Sequence, residues 1–94
     1  MQVHVLHHAA EGTVHGAWLT TELAHHGYRV SPGTLYPLLH RMEREGLLVS
    51  HKEVADGRAR RVYVATAAGR RALKRLRVAA AELAREVAPS GGRS

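Results

Sequence analysis

The stretch SPGTLYPLLHRMEREGLLV, Ser31 to Val49, decides how the rest of the chain is read. Leu35, Leu38, Leu39 and Met42 recur at helical spacing and predict one buried stripe, with Gly46 as the stop. Serine suits the position just before a helix, and Pro32 suits the first helical residue, whose N–H has no intrahelical acceptor anyway. Pro37 is the misfit, because it deletes the bond to the carbonyl of Gly33: either the regular helix begins nearer Thr34 or its first turn is loosened or bent. Such a turn keeps backbone N–H groups available to an anion in front of the helix. The same spacing leaves Gly33, Thr34, Tyr36, Pro37, His40, Arg41 and Arg44 on the outer face. Small residues come first, then a hydroxyl and a phenol, then cations.

Working outward, a second helix is expected from Gly16 to His26, with Leu19 and Leu23 inward and Gly27 ending it. A first helix is expected over Gln2 to Ala10, with Val3, Leu6 and Ala10 as its apolar positions and Glu11-Gly12 as its stop. After Gly46, Leu47–Val54 and Arg60–Ala65 read as strands around Ala55-Asp56-Gly57-Arg58, and Asp-Gly is a strong hairpin signal. Thr66 is placed to cap a last helix running to Val87. Along it Leu73, Leu76, Ala80, Leu83 and Val87 step by three and four, the seam of a heptad pattern. Two heptads are too short to stand alone, so that seam must lie on the domain, on a second copy, or on both. The remaining PSGGRS reads as a disordered polar tail.

Two helices, a short turn and a basic hairpin make a winged helix-turn-helix, a mainly α (α+β) fold with a β-hairpin wing. The expected organisation is a DNA-binding unit over 1–66, a C-terminal dimerisation helix over 67–88 and a tail over 89–94. In this arrangement the second helix of the motif enters the major groove, and two-fold partners meet half-sites about 34 Å apart.

Charge agrees with a polyanionic partner. The chain of 94 residues carries a net +6, and eleven Arg and Lys against four acids fall between His40 and Arg77. The hairpin supplies Lys52, Arg58, Arg60 and Arg61. With no cysteine, neither a disulfide nor a thiolate metal site can staple so small a core, and a reducing cytoplasm is the expected setting. No signal-peptide pattern or membrane-length apolar run is present. Neither a Gly-rich phosphate loop nor a nucleophile elbow is present, so no catalytic role and no cofactor are expected.

The run SPGTLYPLLHRMEREGL, the Asp-Gly wing and RRVYVATAAGRRAL together resemble the PadR-type transcriptional regulators. AEGTVHG, Ala10 to Gly16, is similar to the segment before their second helix. The resemblance covers about Leu6 to Leu73. It implies a cytoplasmic, dimeric winged-helix repressor that binds double-stranded DNA, with the last helix paired to the partner subunit and helped by the first. It also implies release by a small aromatic or hydrophobic compound. By the same resemblance Ser31, Thr34, Tyr36 and Pro37 sit at the groove, and Arg58, Arg60 and Arg61 on flanking phosphates. The dimer set expected is Val3, Leu6, Leu73, Leu76, Ala80, Leu83 and Val87. The chain departs from the family in writing Ala17-Trp18 after His15-Gly16, and in carrying His7 and His8 on its first helix.

Two rival functions follow from other residues. His4 and His8 stand one turn apart with Glu11 a further turn on, a set that could hold Zn²⁺ in a metal-responsive regulator; a solvated face, or a dimer contact that loosens near pH 6, is the plainer reading. A winged helix that binds a protein chain through its last helix and has lost DNA is the other. Trp18, the sole tryptophan, is either a stacking wall for an aromatic effector or buried against the last helix, and His15 reads as structural.

Overall fold

In a computed structural model, which describes residues 1–87, the chain forms four helices and a three-stranded antiparallel sheet. The elements are α1 (Gln2–Glu11), β1 (Val14–His15), α2 (Gly16–His25), α3 (Pro32–Arg44), β2 (Leu48–Ala55), β3 (Arg58–Ala65) and α4 (Ala67–Val87). The expected tail over 89–94 lies outside the described residues.

The helix-turn-helix forms as the pattern predicts. Leu19 and Leu23 of α2 and Leu35, Leu39 and Met42 of α3 are fully buried against one another, and Leu38 is half-buried at the edge. Gly27, at φ +87, lets α2 end by donating from Tyr28 N–H to Leu23 O and from Gly27 N–H to Ala24 O. The same pair of bonds ends α3, from Leu47 to Met42 and from Gly46 to Glu43. These two ends fix the direction in which the chain enters and leaves α3.

The wing is a hairpin in which the strands run up to the turn, Leu48 pairing with Ala65 at the base and Ala55 with Arg58 at the tip. Asp56 and Gly57 both have positive φ, +53 and +73, the pair of left-handed residues that a tight two-residue hairpin turn needs. Because side chains alternate across a strand, Lys52 and Arg61 share the face of Ser50 and buried Tyr63, whereas Arg58, Arg60 and Glu53 share the other. The strand β1 was not anticipated: it pairs Val14 with Tyr63 and His15 with Val62, closing the sheet in the order β1-β3-β2. Two residues are too few to show any alternation.

Three expectations about the core need correction. On α1 the buried residues are Val5, Leu6 and Ala9, so the stripe is rotated from the Val3–Leu6–Ala10 register, and Val3 is 39% exposed. Leu6 is a core residue, fully buried within the chain, and cannot be a dimer contact. Leu73 is likewise buried in the monomer, where α4 leaves the domain. From Leu76 onward α4 has no buried residue, and its 21 residues account for much of the 60 Å long axis.

The root of α4 is fixed by Thr66. Its hydroxyl donates to Gly46 O (2.5 Å) and accepts from Gly69 N–H (2.9 Å), capping the helix as expected. Gly69 is buried with its Cα against the carbonyl of Leu47, so a methyl there would overlap backbone. Gly69→Ala is therefore expected to lower unfolding free energy by about 1–3 kcal/mol, measured by urea denaturation.

Candidate nucleic-acid interface

The leading turn of α3 is open. Ser31 occupies the cap position, but its hydroxyl faces Thr34 Oγ1 (3.4 Å), so among the described residues no side chain caps the first-turn N–H groups. Thr34 and Leu35 N–H donate to Ser31 O, so the helix begins at Pro32 despite Pro37 in its second turn. Ser31, Gly33, Thr34, Tyr36, Pro37, His40, Arg41 and Arg44 are all exposed, as are Lys52, Arg58, Arg60 and Arg61 on the hairpin.

Tyr36 is 39% exposed, and its phenol lies directly over Gly16, the first residue of α2. A Cβ at position 16 would run into the phenol oxygen and the ring carbon that bears it. The ring is thus braced by bare backbone at the start of α2. Beside it an open cleft separates the helix-turn-helix from the hairpin, with Tyr36 and His15 on one wall and Arg58, Arg60 and Arg61 on the other.

A hydrogen-bond chain sets the angle between wing and helix. Ser50 Oγ donates to Glu43 Oε2 of α3 (2.7 Å) and accepts from Arg61 Nη1 (3.0 Å). Arg61 is therefore aimed along the α3 side of the sheet. Burial pushes up the pKa of nearby Tyr63, with the Glu43 carboxylate adding to the effect. Arg60 is an ion-pair partner of Glu53 across the strands (3.2 Å), which offsets part of its charge. Arg58 and Lys52 have no ion pair among the described residues.

His15 is structural: its Nδ1 faces Trp18 N–H (3.4 Å) and caps α2. Trp18 is 41% exposed with the His8 ring edge-on at 5.2 Å, so it is not the fully buried tryptophan of the plainer expectation. His4, His8 and Glu11 do not come together as a group. His4 stacks on His26 (4.6 Å) and approaches Tyr28 (5.2 Å), while His8 turns toward Glu22 of α2. Burial lowers the pKa of His4, and the neighbouring His26 lowers it further. A spacing rule confined to one helix could not foresee partners on the next; the His25-His26 pair before Gly27 was the available signal.

Residues 5–75 match the profile of the Transcriptional regulator PadR-like family. The chain is a member of that family. Transcriptional regulator Rv3488 of Mycobacterium tuberculosis (strain ATCC 25618 / H37Rv) is 67% identical over 94 residues, spanning all of this chain and 86% of that protein. The PadR family regulator of Eggerthella lenta DSM 2243 superposes with a TM-score of 0.82 at 30% identity, over 99% of this chain and 82% of that one. Bacillus subtilis PadR, solved in complex with operator DNA, shares the fold at a TM-score of 0.72 and 16% identity, over 80% of this chain and 44% of its own. PadR-family proteins are DNA-binding regulators of transcription, not enzymes. Among the described residues of this PadR-family chain, no helix is long and apolar enough to cross a membrane.

Proposed function

We propose that this PadR-family regulator is a cytoplasmic repressor that binds a pseudo-palindromic operator as a homodimer and is released by a small aromatic or hydrophobic effector. The observation that carries the reading is the open cleft, which Tyr36 of α3 faces from one side and the wing arginines from the other. Residues 1–66 form the reading unit. Gly33 and Thr34 allow close approach to base edges, Tyr36 and Pro37 contact them, and His40, Arg41 and Arg44 follow the backbone. Lys52, Arg58 and Arg61 hold flanking phosphates, with Arg60 a weaker contributor because of Glu53. The operator-bound Bacillus subtilis PadR supports this use of the fold.

Pairing falls to α4, Ala67–Val87. Leu76, Ala80, Leu83 and Val87 lie on one exposed stripe, Leu83 at 59% exposure, which is unfavourable for a helix left in water. Val3 on α1 is also exposed and is a second candidate contact, while Leu6 and Leu73 are buried and do not belong to the set. The half-exposed indole of Trp18 is a suitable platform for an aromatic effector.

The test is a pair of variants assayed on the chain's own upstream DNA and on random duplex. Tyr36→Ala is expected to cost about 1–3 kcal/mol on the specific site and little on random DNA. Arg61→Ala is expected to weaken both alike. Equal losses on the two duplexes for Tyr36→Ala would remove the phenol from base reading.

A further inference from the structure

Outside the DNA-facing site, His4, His7, His8 and His26 gather between α1 and the end of α2. His8 projects from α1, and Glu22 and His26 come from the C-terminal half of α2 and its cap. One ligand atom from each lies within 4.8 Å of the others. The His8 Nε2 atom is buried and has no hydrogen-bond partner among the described residues. Its distance to Glu22 Oε2 is 3.7 Å, too long for a hydrogen bond. That gap is close to the roughly 3.3 Å separating neighbouring ligands around a tetrahedral ion with bonds near 2.0–2.1 Å. A buried ring nitrogen left without a partner is unfavourable, and a cation between it and the carboxylate would resolve it.

We infer that His8, Glu22 and His26 form a binding site for a divalent transition-metal ion of the Zn²⁺, Co²⁺ and Ni²⁺ class, joining α1 to the end of α2. Two imidazoles and a carboxylate suit these borderline ions; soft Cu(I) favours sulfur, and Mg²⁺ and Ca²⁺ favour an all-oxygen shell. The surroundings hold the ligands in place. His25 Nδ1 sits 3.4 Å from the other oxygen of Glu22, and His4 stacks on the His26 ring. Three protein ligands leave one position for water.

A second grouping, His7, His8 and Glu11, shares the same His8. It is the weaker claimant. His7 is engaged by the Arg77 guanidinium, a fixed positive charge that repels a metal ion, and the Glu11 side chain is 66% exposed. The inference goes beyond the DNA-binding reading and stands independently of it.

Trp18 is a built-in reporter, being the sole tryptophan and lying 5.2 Å from the His8 ring. Ni²⁺ or Co²⁺ added to the full chain should quench its emission saturably at one ion per chain, with reversal by EDTA. Zn²⁺ should compete for the same site and raise the midpoint of thermal unfolding. Glu22→Gln keeps the shape of a side chain that is not fully buried, so its fold should survive, as circular dichroism would check. It and His26→Gln should each weaken the ion at least tenfold, whereas His51→Gln on β2 should leave affinity unchanged. Absence of saturable quenching and of Zn²⁺ stabilisation in the folded wild-type chain would overturn the site. So would binding that persists in Glu22→Gln and His26→Gln but is lost when His7 and Glu11 are both replaced by Gln.

Discussion

Raising monovalent salt from 50 to 200 mM is expected to weaken binding of the upstream operator by about three to four powers of ten. The reasoning starts from the surface charge. Lys52, Arg58 and Arg61 on the hairpin and Arg41 and Arg44 at the end of α3 are exposed, and none has an ion-pair partner among the described residues. In a dimer these positions could neutralise roughly six to eight phosphates, and each releases most of one condensed counterion, giving a log–log slope of about −5 to −7. Arg60 is excluded from that count because Glu53 already faces it. The slope is to be measured by fluorescence anisotropy across the salt series. A slope near −2 would mean that the wing stands off the duplex. Replacing Arg58 by Ala should make the slope shallower by about 2 per dimer, one for each copy.

The second large effect is expected from Leu83→Glu. Leu83 lies far out on α4, on a stripe with Leu76, Ala80 and Val87, and nothing among the described residues buries it. In a symmetric pair the substitution enters the interface twice, placing two like charges where apolar contact is required. The dimer dissociation constant should rise at least about 100-fold, roughly 2.7 kcal/mol, as read by sedimentation equilibrium. The monomer should stay folded, because the core residues Leu6, Leu39 and Leu73 are untouched. Operator affinity should fall with dimerisation, since the two half-sites would then be bound separately. A Leu83→Glu chain that remains dimeric would move the interface to another surface.

Much of this architecture was legible before any coordinates. The α3 stripe, the two glycine-ended helices, the Asp-Gly turn and the Thr66 cap are local signals, and each has the expected role. What local pattern could not give was the choice among neighbours. The heptad seam of α4 is continuous in sequence, yet the fold divides it: Leu73 goes to the core, and the stripe from Leu76 onward goes to solvent. Helix α1 is a second such case. Its apolar residues are dense enough to support two registers, and packing selected Val5 and Ala9 over Val3 and Ala10. For the histidines, spacing along α1 is visible in the sequence, whereas proximity between α1 and α2 is not.

The seating of the Tyr36 phenol on the backbone of Gly16 has an evolutionary consequence. Positions 16 and 36 are sterically coupled, so neither can drift alone: a side chain at 16 evicts the ring from its seat, and only a smaller residue at 36 restores room. A regulator that changes its DNA preference through position 36 therefore gains a permissive second substitution at the start of α2, and the pair should change together among descendants of this chain.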